Sequence, residues 1–521
     1  EPYLSLRRLE NEIIKQIYSV EQLNAFENPI KVSIHQFYGI EINDFAVTVA
    51  TTALWISEAQ MMAETEKIIH HDIDFLPLKS YANIHEGNSL QIDWENVCPK
   101  EELDYIIGNP PFHGFTFMSA CQKEDMANLF PKVKNLDYVC GWYKKASDFI
   151  DDTKIEVCFV STNSIVQGET VGRFWKFMNH DVINYAYRTF RWDSEASLKA
   201  QVHCVIISFS KVERKNKFIY DGAQLIKATH INPYLIEGDD TLVESRNKPL
   251  CNVPKMINGN KPADGNLIIE DEDLEDFIAK DPKSKEFIYP LLGAVEFIQR
   301  RKRWCLWLVG ASPSELKQCP AIINRIKKCK EARLASIAAG IRKFADTPTL
   351  FAQCTQPVDK DFIIVPRVSS EKRKYVPMGF IKAGTIVTDR VQIIPAASLY
   401  HFGILESNVH MAWMRTTCMR LKSDYSYSKD IVYNNFPWPS PTPEQQAKIE
   451  TSAQAILDAR ALYPDSSLAD LYDPTLMPKE LLQAHRQNDR AVMAAYGFPM
   501  KMTESECVAE LFKLYTKLAE S

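Results

Sequence analysis

The sequence predicts an α/β protein in three parts. A mostly parallel sheet with helices on both faces is expected over residues 1–210, a mixed α+β domain over 211–436, and a small helical module over 437–521. Three observations predict this. Strand-like and helix-like segments alternate up to about Ser210, the pattern of a parallel sheet with crossover helices. The alternation then gives way to polar sequence holding the acidic cluster Glu270-Asp271-Glu272-Asp273, followed by short mixed elements. Finally, Pro437, Pro439, Pro441 and Pro443 read as a hinge before purely helical sequence.

The elements follow from periodicity. Leu6, Leu9, Ile13 and Ile17 fall at helical spacing and predict a helix over 3–18, already under way where the chain opens. Phe37 to Ile40 predict a strand running into Glu41, and the apolar pattern from Asp44 to Met62 a long helix. The next strand ends at Gly87-Asn88-Ser89. Leu103–Gly108 predicts a buried strand that leads into Asn109-Pro110-Pro111-Phe112. A helix around Leu136–Ile150 precedes a buried strand at Ile155–Val160, and further strands are expected at 182–190 and 202–209. Beyond the prolines, Glu444–Tyr463 and Pro478–Tyr496 predict helices.

Composition narrows the class. With 521 residues, about 150 per domain gives roughly three domains. At 45% hydrophobic and 25% charged, the chain is ordinary globular material, which excludes a disordered, collagenous or coiled-coil protein. No run reaches the ~18 apolar residues of a membrane span, so no membrane association is expected. The 12 cysteines are scattered without a C-x-x-C pair, and the 11 histidines avoid ligand spacing. This points to a reducing, cytoplasmic setting and no structural metal. The chain opens Glu1-Pro2-Tyr3-Leu4 without Met or a signal-peptide pattern, so it is expected to be a piece of a longer polypeptide.

The formal charge of −6 hides an asymmetry. Val295–Asp430 carries 23 Lys and Arg against 11 Asp and Glu, a balance of +12, which leaves −18 for the remainder. A basic middle inside an acidic whole suits a polyanion such as nucleic acid. Arg367, Lys372, Arg373 and Lys374, in PRVSSEKRKYVP, are the expected DNA-facing cluster.

The segment Asp104–Phe112, DYIIGNPPF, carries the chemistry. A strand ends, a glycine lets the backbone turn, and two prolines rigidify the exit and remove two N–H donors. The Asn109 side-chain oxygen and the Pro110 carbonyl remain as acceptors with no competing main-chain donor. Such a pair suits a ligand –NH2, which has two hydrogens to give. Phe112 adds a flat apolar face, completing a cradle for a planar heterocycle with an exocyclic amine.

At this point the sequence resembles the class I S-adenosylmethionine-dependent amino-methyltransferases, in which Asn/Asp-Pro-Pro-aromatic follows the fourth strand. Phe after Asn-Pro-Pro is similar to the adenine-N6 branch. The resemblance extends along nearly the whole chain to the MmeI-like, type IIL restriction–modification family. It is carried by LDYVCGWYKKA (136–146), FVSTNSIVQGE (159–169), YRTFRWDSEA (187–196), VHCVIISFS (202–210), RLKSDYSYS (420–428), IVYNNFPWP (431–439) and SLADLYDPTLMPKELLQAH (467–485).

The resemblance implies a Rossmann-like methyltransferase sheet, a target-recognition domain and a helical C-terminal module. It implies transfer of a methyl group from S-adenosylmethionine to N6 of an adenine flipped out of double-stranded DNA, within a restriction–modification enzyme. Asn109, Pro110, Pro111 and Phe112 take the catalytic position. Glu41 matches the acid that holds the cofactor's ribose hydroxyls, and Asn88 the polar residue at its adenine, with Asn109 also facing the cofactor. Ser161-Thr162-Asn163 fall at the end of the fifth strand, their role open. Lys422 and Asp424, taken as alternate residues of one extended segment that falls in the family's target-recognition region, are expected to read a single G·C pair. The family's first cofactor loop and its N-terminal nuclease have no counterpart in these residues, so both are expected upstream in the same polypeptide. Two other readings are a DNA-recognition module without activity of its own, and methylation of RNA or of a protein amide.

Overall fold

The structure, a computed structural model, describes residues 1–17, 29–69, 83–192 and 202–520. The chain divides into two compact units. One comprises Glu1–Val160, His180–Val182 and Ser208–Glu213; the other comprises Ser161–Asn179, Ile183–Ile207 and Arg214–Ser521.

In the first unit, helix α1 (Pro2–Ile17) precedes strand β1 (Tyr38–Glu41), helix α2 (Asp44–Ile69) and strand β2 (Asn83–Glu86). Strand β3 (Tyr105–Gly108), helices α3 (Ala120–Leu129) and α4 (Cys140–Phe149), and strand β4 (Glu156–Thr162) follow. The expected helix at 3–18 forms, but its apolar stripe does not face inward. Leu6, Leu9 and Ile13 are exposed, while Tyr3, Arg7, Asn11 and Ile14 are buried. The buried face is partly polar because α1 meets α2 through a hydrogen-bonded set. Arg7 Nη2 donates to Thr65 Oγ1 at 2.8 Å, Thr65 Oγ1 donates to Asn11 Oδ1 at 2.8 Å, and Arg7 pairs with Glu10.

β1 and β2 pair in parallel, from Tyr38↔Asn83 to Glu41↔Glu86, as a two-stranded sheet. β3 and β4 pair in parallel from Tyr105↔Glu156 to Gly108↔Phe159. Phe159 packs with Tyr143 and Phe209, ring centroids 5.2 and 6.3 Å away. A Cβ on Gly108 would stand 3.3 Å from the Phe159 ring, so a glycine at the strand exit lets the two strands close up.

The second unit begins with helix α5 (Gly168–Phe174) and strands β5 (Val182–Trp192), β6 (Val202–Ser210), β7 (Lys217–Asp221) and β8 (Gln224–Ala228). Strand order along the six-stranded sheet is β3-β4-β6-β5-β7-β8, with β5 and β7 parallel and β7 and β8 antiparallel. The sheet therefore continues past Ser210, where the sequence led us to place its end. β7 and β8 form a hairpin of two five-residue strands about Gly222, and it is their pairing that makes such short strands sheet members.

Three small sheets follow. Strands β9 (Ile257–Asn258), β10 (Ile268–Glu270), β11 (Ile288–Leu292) and β12 (Arg303–Leu306) precede helices α6 (Pro320–Leu334) and α7 (Ala339–Arg342). Strands β13 (Phe362–Pro366), β14 (Val368–Ser369), β15 (Gly379–Ile381), β16 (Ile386–Val387) and β17 (Val391–Pro395) come next. Helices α8 (Leu399–Leu405) and α9 (Asn408–Thr417) lead into strands β18 (Met419–Leu421) and β19 (Asp424–Ser426). The sheet orders are β10-β12-β11-β16, β15-β13-β17-β9 and β14-β19-β18. Their cores centre on Ile269, Leu291, Cys305 and Ile322, and on Ile364, Val391 and Ile393.

The C-terminal helices are α10 (Pro443–Ala461), α11 (Lys479–Tyr496) and α12 (Glu504–Glu520). They form the expected helical C-terminal part: α10 packs on α8 and α11, and α12 on α9, all within the second unit. The proline segment is correspondingly no hinge. Phe436 and Trp438 are buried, and the hydroxyls of Tyr496 and Tyr400 donate to the carbonyls of Pro437 and Pro439 at 2.8 and 3.3 Å. Prolines here spend no backbone donors where the chain runs through packed surroundings, and Pro443 opens α10 at a position that needs no N–H.

Candidate functional site

The Asn-Pro-Pro-Phe segment leaves the C-terminal end of β3, the end at which ligands of open α/β sheets bind. Pro110 is buried and Phe112 half-buried, whereas Asn109 and Pro111 are exposed. Neither the Asn109 side chain nor the Pro110 carbonyl has a hydrogen-bond partner among the described residues. Two acceptors are thus held at a rigid exit with nothing consuming them. The loop is pinned just beyond, where Tyr138 N donates to the His113 carbonyl at 2.9 Å and Phe117 N to the Gly114 carbonyl at 2.9 Å.

Glu41 ends β1, half-exposed, with one carboxylate oxygen accepting from Asn43 N at 3.1 Å and the other without a partner among the described residues. Asn88 is more committed than its sequence context suggests. Its Oδ1 accepts from Leu90 N at 3.0 Å, an Asx-type turn, and its Nδ2 donates to Asp125 Oδ2 at 3.0 Å. One amide hydrogen remains for a ligand. Asp125 is buried and also accepts from Gln91 Nε2 and Tyr138 Oη, both at 2.8 Å. Burial, then the neighbouring Asp125, pushes the Tyr138 phenol up, so it stays a donor. Asp125 and Tyr138 escaped the sequence reading because no local pattern links them to Asn88; only the fold brings them together.

In the second unit, Thr162 and Ser164 share a hydroxyl–hydroxyl hydrogen bond of 2.9 Å, and Ser161 is fully buried. Asn163 and Gln167 are buried with Nδ2 and Oε1, respectively, lacking partners among the described residues. Gly168 follows at φ +60°, and a Cβ there would stand 2.0 Å from Met419 Cγ. The chain after β4 thus touches the first residue of β18.

The two segments singled out for a polyanion form one surface. β14 pairs with β19 through Val368↔Ser426 and Ser369↔Tyr425, and β19 pairs with β18 through Leu421↔Asp424. The loop bearing Lys372, Arg373 and Lys374 therefore emerges beside the hairpin bearing Lys422 and Asp424. Arg420 ties them: its Nη1 donates to Glu371 Oε2 at 3.0 Å and to the Ser423 carbonyl at 2.9 Å, and its guanidinium lies over the Tyr425 ring at 4.5 Å.

Two expectations need correction. Lys422 and Asp424 are not alternate residues of one extended segment, because the chain reverses between β18 and β19. Lys422 sits in the two-residue turn with φ +57°, and Asp424 opens the returning strand. Both remain at the hairpin tip, Lys422 exposed and Asp424 half-buried. Arg373 is also not a free surface cation. It is half-buried, burial lowers its guanidinium from the usual range, and Asp424 and Asp473 oppose that shift. Arg367, Lys372 and Lys374 are exposed, with Arg367 Nη1 donating to the Asp389 carbonyl at 3.1 Å.

Comparison with known proteins gives a consistent result over the whole chain. Residues 1–221 match the MmeI DNA-methyltransferase domain, residues 237–440 the MmeI target recognition domain, and residues 441–521 the MmeI C-terminal domain. The solved type IIL restriction–modification enzyme MmeI, in complex with DNA, superposes with a TM-score of 0.90 at 41% identity, covering 100% of this chain and 71% of that one. The chain belongs to the MmeI family of type IIL restriction–modification proteins. A curated relative, DNA methyltransferase A of Bacillus subtilis (strain 168), is 38% identical over 99% of the chain. The chain spans 60% of that relative's length.

For an MmeI-family chain, the second unit holds the target recognition and C-terminal domains together, with the β18–β19 hairpin packed on the segment after β4. Among the described residues no helix is long and apolar enough to cross a membrane, and no cluster of three side chains could hold a metal ion.

Proposed function

We propose that this chain is the methyl-transferring and DNA-reading portion of a site-specific adenine-N6 DNA methyltransferase in a restriction–modification protein. The observation that carries this reading is the unpartnered pair of acceptors, Asn109 and the Pro110 carbonyl, at the exit of β3. The match to a DNA-bound relative and the basic surface around β14-β19-β18 support DNA as substrate.

Adenine's amine is a weak nucleophile because its lone pair is conjugated with the ring. It also lies within the base stack, so the base must leave the duplex. Accepting both amine hydrogens, at Asn109 and at the Pro110 carbonyl, favours a pyramidal nitrogen and stabilises the positive charge that develops there. Phe112 offers a half-buried ring on which the extruded base can stack. After transfer the methylated nitrogen releases its surplus proton to solvent, and positioning supplies most of the acceleration.

The residues present fit S-adenosylmethionine. Glu41 has an open carboxylate oxygen suited to ribose hydroxyls, and Asn88 has one remaining amide hydrogen suited to an adenine nitrogen. The bound cofactor supplies an electrophilic methyl group on a sulfonium.

The first unit also has room for another strand. β1 pairs only with β2 and β3 only with β4 among the described strands. Tyr105 and Ile107 of β3, and Ile42, Phe45 and Val49 around the start of α2, are exposed. We infer that a strand from an upstream part of the same polypeptide, together with its cofactor-binding loop, covers these edges. Upstream sequence is also where the expected nuclease belongs.

The test is Asn109→Ala in the full-length protein. Methyl transfer should fall to background while duplex affinity stays within about twofold, because Asn109 meets the flipped base and not the phosphates. Wild-type transfer rates in this variant would refute the assignment. Isothermal calorimetry with S-adenosylmethionine separates the competing reading, since a recognition module without activity would bind no cofactor.

A further inference from the structure

The strongest unassigned feature is the connection between α6 and α7. α6 is amphipathic: Ile322, Cys329 and Arg333 are buried, whereas Lys327, Lys328 and Lys330 are exposed. Its solvent side runs directly into Leu334-Ala335-Ser336-Ile337-Ala338-Ala339-Gly340, a seven-residue stretch without a charge. Ile337 at its tip is 98% exposed and Leu334 57%. Arg342 and Lys343 follow at once, both exposed.

Single exposed apolar side chains are commonplace and call for no explanation. This one differs in how it is held. Arg342 Nη1 donates to the carbonyls of Ser336 and Ile337, both at 2.8 Å, and Ala338 N donates to Ser336 Oγ at 3.3 Å. Beneath the tip, buried Arg333 donates to the carbonyls of Phe344 and Thr347 at 2.9 Å and of Leu350 at 2.8 Å, and it pairs with Asp264 at 2.5 Å. The protein thus builds a braced pedestal and places an isoleucine in water on top of it. In this region Arg303 pairs with Glu270 and Lys382 with Asp361. Lys327, Lys328, Lys330 and Lys343 have no ion-pair partner among the described residues.

We propose that this tip is a second contact with duplex DNA, in which Ile337 enters a groove and presses against a base step while Lys327, Lys330 and Lys343 hold flanking phosphates. A rigid apolar wedge between cations is the chemistry with which proteins unstack and bend a duplex. The small residues on either side, Ala335, Ser336, Ala338, Ala339 and Gly340, let the backbone approach closely. A step that deforms easily would be preferred there, so the contact adds sequence preference without a hydrogen bond to a base. The inference rests on DNA being the substrate, as proposed above.

The experiment uses the full-length protein and duplexes carrying its site, with 2-aminopurine placed in turn at each position of the bound segment. Apart from the target position, where base flipping itself raises the signal, the unaltered protein should raise the fluorescence at one further step, and Ile337→Ala should remove that further rise and weaken binding by roughly tenfold. Lys327→Gln, Lys330→Gln and Lys343→Gln together should lower the slope of log K against log salt by about 3. Ile337 packs against nothing, so its substitution should leave the melting temperature unchanged. Unaltered fluorescence and affinity in Ile337→Ala, with the parent protein binding normally, overturns the wedge alone. A parent protein that binds no duplex overturns the wedge and the DNA reading together.

Discussion

Glu371 accepts from Arg420 at 3.0 Å, and through this pair the basic turn after β14 is fixed to the β18–β19 hairpin. The same guanidinium holds the Ser423 carbonyl and covers Tyr425, so it sets the shape of the hairpin turn. The residues proposed to face DNA are therefore held on one braced surface, which would lower the ordering cost of recognition.

Lys422 and Asp424 are expected to read one G·C pair, Lys donating to guanine O6 and N7, Asp accepting from cytosine N4. Exchanging them, Lys422→Asp with Asp424→Lys, should change the preferred base at one position of the methylated site and leave the others alone. Discrimination should move by about 1–3 kcal/mol. Sequencing of methylated sites in a full-length background decides it, and an unchanged site would sink the pairing.

Arg367, Lys372 and Lys374 are exposed, whereas Arg373 is half-buried near Asp424 and Asp473. Neutralising the three exposed residues should reduce the salt slope of duplex binding by roughly 0.9 each. Arg373→Gln alone should instead perturb the hairpin, altering site preference more than slope. Binding titrations from low to high salt separate these outcomes.

Gly168 stands at φ +60° with Met419 in the path of any side chain. Gly168→Ala would impose about 1–2 kcal/mol of left-handed strain and push on the hairpin. We expect lower stability together with weaker site discrimination. Loss of stability with discrimination intact would mean that the hairpin is positioned independently of this contact.

His410 is buried, its Nε2 2.9 Å from the Tyr427 hydroxyl, and burial lowers its pKa to about 3. Its folded pKa lies below its unfolded value of ~6.5, so the unfolded chain binds the extra proton between these limits. Stability should consequently be lost as pH falls below about 6.5, by roughly 2 kcal/mol at pH 5 from this group. His485, also buried and shifted well down, adds in the same direction. Denaturant unfolding at pH 7.5 and pH 5 should show a smaller acid loss in His410→Gln than in the parent. Equal losses would contradict the assignment.

Much of this protein was determined locally. Strand–helix alternation predicts β1, α2, β3, β4, β5 and β6 because hydrophobic period is a property of the chain itself. Asn109-Pro110-Pro111-Phe112 was legible for the same reason: turn chemistry and missing donors are written in consecutive residues. What tertiary structure decided are relations between distant residues. Only packing shows that Leu6, Leu9 and Ile13 face out and Arg7 in, because a helix has two faces and its partner chooses between them. Only pairing shows β7 and β8 as sheet members, or Lys422 as a turn residue, because a short strand is defined by its neighbour. The commitment of Asn88 to Asp125, the burial of the proline segment and the union of the basic turn with the hairpin all arise across gaps of tens of residues. Hydrogen bonds and buried surface at that range depend on where the whole chain folds, and no local pattern encodes them.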